Sequence, residues 1–329
     1  MKMLKRCGLG LLVGLLACTS QEGQVDEWMA DDGRIKVLST IGMVDDLVRV
    51  VGGERVDRLV LIGGALDPHS YELVKGDDEK LGRADLIFYN GLGLEHGPSL
   101  ARYLAENKKA VAIGDGIVRR QPSAVVRVDG QVDPHIWMDV SLWLRGIDVV
   151  VDKLGRVDPA SAADYSERGE RLKNRLRDLD TQVMAELSKV PSDKRYVVTS
   201  HDSCNYFTRR YLATPHERAS GRWTERCCSP EGLAPDSQLS TADIQDVVNH
   251  LVAYNIEVLF PESNLSQDSI RKLVDAGRQK GMEIRIASDS LYGDAMGEPG
   301  SDGDTYEKMM WHNARVLVEN LNHAQSEAA

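Results

Sequence analysis

Along the chain, short runs of β-branched and aliphatic residues alternate with longer segments whose apolar positions recur at three- and four-residue steps. That is the rhythm of parallel strands joined by crossover helices. In the first half the strand candidates are residues 35–40, 58–62, 86–89 and 110–113; in the second they are 196–200, 258–261 and 283–287, with a weaker one at 211–213. Between the halves, Asp158-Pro159 reads as an N-cap followed by proline at the first helical position. It opens a charged stretch to about Lys189 in which Tyr165, Leu172, Leu176, Leu179, Val183 and Leu187 fall on one face. A helix of that extent is roughly 45 Å long and makes a stiff connector. The pattern therefore predicts an α/β chain of two lobes, each a mainly parallel β-sheet flanked by helices, joined by one long backbone helix. The expected division is a first lobe at 34–157, a connecting helix at 158–190 and a second lobe at 191–329. A length of 329 residues suits two such domains.

The first residues change the picture of where the chain works. Lys2, Lys5 and Arg6 precede an apolar run from Leu9 to Ala17, too short to span a bilayer as a helix and matching a signal-peptide core at 1–17. The run ends in Leu15-Leu16-Ala17-Cys18, which resembles a bacterial lipobox. Cys18 is then the lipidated first residue of the mature chain, and 18–33 a tether to the membrane. The net charge of −11 becomes more negative once the basic leader is removed. Nucleic acid, which needs clustered Lys and Arg, is excluded as a partner. Cys204, Cys227 and Cys228 remain for an oxidising compartment, which predicts that Cys204 pairs with Cys227 or Cys228. No C-x-x-C pair exists, so a thiolate zinc site has no support.

The candidate chemistry lies in histidines. Residues 66–72 read Leu-Asp-Pro-His-Ser-Tyr-Glu, and 132–139 read Val-Asp-Pro-His-Ile-Trp-Met-Asp. Proline fixes its own φ and pushes the preceding residue toward extended geometry, so each tripeptide presents its histidine, His69 or His135, from a rigid loop. One copy alone would be a turn with a surface histidine; two in a chain with only 8 histidines point to a metal site. His201 follows the strand candidate 196–200, at the strand edge where α/β sheets bind ligands. On its own it reads as a core or capping histidine.

These motifs resemble the solute-binding lipoproteins of zinc- and manganese-type metal ABC importers, particularly the TroA-like subgroup (cluster A-I). The resemblance runs from about Lys36 to Leu321. It rests on Thr-Ile-Gly-Met (40–43), Tyr-Asn-Gly-Leu (89–92), both Asp-Pro-His motifs, Ser-His-Asp (200–202), Pro-Glu-Ser (261–263), and Gly-Asp-Ala-Met-Gly (293–297) leading to Gly-Asp-Thr-Tyr and Trp-His-Asn. It implies one divalent transition metal ion between the lobes, bound by His69, His135, His201 and Asp294. Asp289, closer to the strand candidate 283–287, is the competing carboxylate by proximity alone. The spacing from Asp294 to Tyr306 matches the family pattern and favours Asp294. Three imidazoles and a carboxylate suit manganese or zinc, with iron also admitted. Asp67 and Asp133 either orient the rings of the histidines that follow or only cap turns.

The resemblance also implies a function: an exported subunit, periplasmic or at the cell surface, that captures the ion and delivers it to an ABC permease and its ATPase. It implies a monomer with no catalytic residues, held to the membrane by its N-terminal lipid. A secreted metal-dependent hydrolase is the rival reading, weakened by the lack of His-Glu-x-x-His; a surface adhesin rests only on exposure at the cell surface. Segment 119–131 has no histidine, whereas zinc carriers of the family often have a histidine-rich loop there. Three departures stand out. Cys204 and Asn205 replace an aromatic and a glycine, Gln238 replaces a glutamate, and about a dozen extra residues lie between Phe207 and Gly232. That extra segment (212–231), with His216, Trp223 and Cys227-Cys228, is expected to be a polar surface loop.

Overall fold

The structure, a computed structural model, describes residue 23 and residues 25–64, 66–235 and 239–323. The expected signal segment 1–17, the lipidation site Cys18 and Gln238 lie outside the described residues. The first lobe is built on four parallel strands, β1 (Ile35–Ser39), β2 (Val56–Val60), β3 (Leu86–Tyr89) and β4 (Ala110–Ala112), in the order β2-β1-β3-β4. Leu38 pairs with Leu59 on one side and Ile87 on the other. Side chains alternate across a strand, so Val37 and Phe88 enter one apolar core while Leu38, Leu59 and Ile87 enter a second on the opposite face. Helices cover both faces, as an all-parallel sheet requires. Part of the segment read as tether belongs to this lobe. Trp28 is buried in the second core, and its indole N–H donates to Asp57 O at 3.2 Å.

An antiparallel pair, β5 (Arg127–Val128) and β6 (Gln131–Val132), leads into the second Asp-Pro-His. In the second lobe the strands are short: β7 (Val197–Val198) pairs in parallel with β8 (Cys227–Cys228), and β9 (Val258–Leu259) with β10 (Arg285–Ile286). Phe260 N donates to Val198 O at 2.9 Å and joins the two pairs. Val198, Leu259, Val247, Leu251, Ile270 and Leu273 form their common core.

The helix Ala162–Leu187 has 26 residues and buries Tyr165, Leu172, Leu176, Leu179, Val183 and Leu187, together with Gly169. It packs against the helices Gly42–Gly52, Gly146–Val157 and Tyr306–His323. Asp158 is not its cap. Pro159–Ser161 form a 3-10 turn, and the Asp158 carboxylate accepts from the Tyr165 hydroxyl at 2.9 Å.

Three further readings are corrected. Residues 211–213 form no strand: Thr208–Leu212 is a π-helix, and Tyr211 is held there because its hydroxyl donates to Asp180 Oδ1 at 2.8 Å and accepts from Val140 N at 3.2 Å. A short apolar run does not distinguish helix from strand by pattern alone. The extra segment is ordered rather than a loop. It forms a helix Pro215–Ser220 with a Thr214/Glu217 capping box, a 3-10 turn Arg222–Arg226, and strand β8. The buried Arg226 bonds Glu217 through both Nε and Nη2 and lies 5.0 Å above the Tyr196 ring, which binds the segment to the lobe. The expected disulfide is also not formed. All three cysteines are free thiols, and Cys227 Sγ is directed to Asn205 Oδ1 at 3.1 Å while Cys204 Sγ faces Ser203 Oγ at 3.7 Å.

At Gly169 the connecting helix packs tightly on its neighbour, since a Cβ there would lie 2.7 Å from Val151 Cγ2 and 3.2 Å from Ile147 Cγ2. Gly169→Val is expected to destabilise the metal-free protein by about 1–3 kcal/mol through overpacking. Glu167→Val, on the exposed face, should cost far less. Urea unfolding of both variants measures the difference.

Candidate metal centre

His69 lies in the loop after β2, and Asp67 shapes its turn: Oδ1 accepts from His69 N at 2.9 Å and Oδ2 from Ser70 N at 3.3 Å. Oδ2 also accepts from the Ser70 hydroxyl, and none of these contacts reaches the His69 ring, so this aspartate caps the turn. In the second copy the carboxylate does more. Asp133 Oδ1 accepts from His135 N at 2.8 Å and stands 2.7 Å from His135 Nδ1, which fixes the ring and turns Nε2 toward the other donors. His201 follows β7 and is braced by a residue the motif reading did not single out as a support. Glu262, after β9, places Oε1 2.8 Å from His201 Nδ1, off the line of a hydrogen bond. Its Oε2 accepts from the backbone N–H groups of Ser200 and His201 at 3.0 and 3.1 Å, and Oε1 accepts from the Ser203 hydroxyl at 2.7 Å. The sequence signal for this role was only the Pro-Glu-Ser string.

Asp294 closes the set from the segment between β10 and the last helix. A side chain on Gly293 would put its Cβ 2.8 Å from Glu262 Oε1, so glycine permits the approach. Across the cleft, the indole N–H of Trp137 donates to Gly293 O at 3.0 Å. Asp289 is exposed and lies outside the cluster.

His69, His135, His201 and Asp294 are all buried, and one potential ligand atom from each falls within 4.8 Å of every other. His69 Nε2 is 3.2 Å from His135 Nε2 and 3.3 Å from Asp294 Oδ2; His135 Nε2 is 3.3 Å from Asp294 Oδ1; His201 Nε2 is 3.0 Å from Asp294 Oδ2. Ligand atoms about 2.0–2.1 Å from a tetrahedral ion stand about 3.3–3.4 Å apart, close to these values. Neither oxygen of Asp294, nor His201 Nε2, makes a hydrogen bond despite this proximity. Buried polar atoms without hydrogen bonds are costly, and here they converge on one another. The residues fit a transition metal ion.

The titration of these groups carries the same signature. Burial alone would depress His135, yet the carboxylates of Asp133 and Asp294 outweigh it and hold the ring up at about 9. His201 is likewise driven well up against burial by Glu262 and Asp294. Burial opposes ionisation of Asp294, but His201 and His135 overcome it and keep the carboxyl well below its ordinary range. His69, with no carboxylate on its other nitrogen, is pushed down, burial being the main cause. The thiols stand apart: burial pushes Cys204 and Cys227 up strongly, and Cys228 to about 12. They are not thiolates at neutral pH. His216 is exposed and belongs to no metal-holding cluster among the described residues.

The family described as ZnuA, the periplasmic zinc-uptake complex component A, matches residues 37–320. The crystal structure of Fe(III)-bound YtgA from Chlamydia trachomatis superposes with a TM-score of 0.82 at 39% identity, covering 87% of this chain and 98% of that one. The periplasmic zinc-binding protein TroA from Treponema pallidum gives 0.79 at 30% identity, covering 88% and 99%. The manganese-binding lipoprotein MntA of Bacillus subtilis is 30% identical over 88% of this chain and 90% of its own length.

Removing Asp294 should weaken binding of manganese and zinc more than any change outside the set, because a charged oxygen donor is lost. Glu262→Gln, which loosens the His201 ring, should cost about 10–100-fold in affinity. Asp289→Ala should change it little. Calorimetric titration with each ion ranks the three variants; binding abolished by Asp289→Ala but retained by Asp294→Ala would contradict the arrangement.

Proposed function

The chain belongs to the ZnuA family, and we propose that it is the extracytoplasmic metal-binding subunit of an ABC importer, capturing one manganese, zinc or iron ion. The observation that carries this reading is the closed donor set, three imidazoles and one carboxylate buried between two lobes. Its ligands are His69 and His135 from the first lobe and His201 and Asp294 from the second. Asp133 and Glu262 orient two of the rings. Four protein ligands saturate a tetrahedral ion and leave no position for an activated water, so the site holds cargo rather than performing hydrolysis.

Asp294 presents its two oxygens to different histidines, so one or both are able to bind an ion. A single oxygen serves zinc at four ligands; both raise the coordination number for manganese or iron. Intrinsic affinity favours zinc over manganese at a nitrogen-rich site, and supply outside the cell then decides the cargo.

Delivery requires a permease and an ATPase, and the mature chain works as a monomer held at the membrane by lipid on Cys18. Among the described residues no helix is long and apolar enough to cross a membrane.

Protein isolated from its own host should contain one transition metal ion per chain by elemental analysis. Adding the ion to the stripped protein at about 100 times its Kd should raise stability by about 2.7 kcal/mol. Isolation without metal, no stabilisation, or metal-dependent hydrolysis of ester or peptide substrates would contradict this reading. Cys18→Ser should shift the protein from the membrane to the soluble fraction with its metal affinity unchanged, and fractionation with acyl-chain labelling checks it.

A further inference from the structure

Neither oxygen of Asp294 accepts a hydrogen bond, so the place of this carboxylate is set by the backbone that carries it. Residues 287–305, between β10 and the helix Tyr306–His323, form neither helix nor extended strand, only a single β-bridge from Glu262 to Leu291. A segment of that kind must still find partners for its buried main-chain groups. Leu291 N donates to Pro261 O at 2.8 Å, and Leu291 O accepts from Ser263 N at 2.9 Å. The main-chain groups of Tyr292 then face the opposite edge, and there a side chain takes a strand's place.

That side chain is Asn313. Its Oδ1 accepts from Tyr292 N at 2.9 Å, and its Nδ2 donates to Tyr292 O at 2.8 Å. A carboxamide has the donor and acceptor of a peptide, so Asn313 pairs with Tyr292 as a neighbouring strand would. It is 1% exposed, so water does not compete for these bonds. His312, beside it, grips the same segment. Its Nε2 donates to Ser290 O at 2.9 Å, since a carbonyl only accepts, and its Nδ1 lies 2.7 Å from Asp302 Oδ2. The Tyr292 ring rests against the imidazole, with centroids 4.8 Å apart. Both residues belong to the Trp-His-Asn string of the last helix, and that helix packs on the connecting helix. Their hold on Ser290 and Tyr292 ends two residues before Asp294.

We propose that Asn313, with His312 beside it, is the positioning residue for the Asp294 ligand: it fixes the main chain so that the carboxylate meets the three imidazoles. Asn313 is not itself a ligand. This rests on the metal-capturing reading above and adds the group that aims the one carboxylate of the donor set.

A residue that acts through one ligand leaves a signature. Manganese depends on the carboxylate more than zinc does, because imidazole suits zinc. In calorimetric titrations Asn313→Ala should weaken Zn²⁺ binding about tenfold and Mn²⁺ binding about a hundredfold, which shifts the ratio of the two affinities. In an Asp294→Ala background the same substitution should change Zn²⁺ affinity less than about twofold, because the group it aims is gone. His312→Ala should shift the ratio in the same direction, and His312→Gln, whose amide N–H replaces that of Nε2, should restore it. Equal loss of zinc and manganese affinity in Asn313→Ala would overturn the proposal. So would unchanged affinities, or the same zinc loss with and without Asp294, which would make the pair a structural anchor only. Should Asn313→Ala fail to fold, equal loss of both ions in His312→Ala overturns it instead. Failure of the wild-type chain to bind either ion would defeat the parent reading.

Discussion

The structure is organised around an electrostatic problem: three imidazole nitrogens and a carboxylate packed within 4.8 Å of one another in a buried volume, with the Asp294 oxygens and His201 Nε2 left without hydrogen bonds. At 3.2 Å, His69 Nε2 and His135 Nε2 need a proton or a cation between them, since two bare lone pairs at that distance would repel. Such a set is stable only with positive charge at its centre, supplied by protons on His135 and His201 or by a metal ion that displaces them. The supporting groups follow from that requirement. Asp133 and Glu262 set two rings so that their outward nitrogens meet the carboxylate of Asp294. Backbone N–H groups of Ser200 and His201 in turn hold Glu262.

Convergence of donors from two lobes also demands that the lobes keep their distance and angle. The helix Ala162–Leu187 sets the frame, packing on helices before and after it in the chain. Finer adjustment comes from polar contacts beside the ligands. The Tyr206 hydroxyl donates to Asp133 O at 3.1 Å and accepts from Val126 N, and Arg209 Nη2 donates to Ala124 O at 2.6 Å. With the Trp137 to Gly293 bond, they tie the His135 loop to elements near His201 and to the Asp294 segment. The aromatic that follows His135 by two positions is thus an inter-lobe fastener.

What could be read from the sequence was what is local. Asp-Pro-His is a turn whose geometry depends on adjacent residues, and the six apolar positions of the connecting helix repeat at helical spacing, so both were legible. Glu262 lies 61 residues from His201, and its bracing role depends on how β9 sits beside β7. No spacing rule contains that. The same holds for β8, where two cysteines with little β preference form a strand because β7 offers an open edge. Tyr211 was misread because its hydroxyl reaches Asp180 on the connecting helix and Val140 in the first lobe, contacts that make a π-helix tolerable. The lipobox reading concerns residues outside those described and stands on sequence alone.

The two Asp-Pro-His copies, similar in sequence, differ in support, and the difference has a functional direction. Asp133 has both backbone and ring in its grip, whereas Asp67 holds the backbone and the Ser70 hydroxyl but not the His69 ring. His135 and His201 meet Asp294 with a carboxylate beside their other ring nitrogen. His69 completes the set without a carboxylate at its other ring nitrogen. A carrier must bind firmly and still release at the permease, and a site with four equally braced ligands would do only the first. Leaving one ligand without a carboxylate behind it gives the set one donor able to give way while the other three keep their geometry.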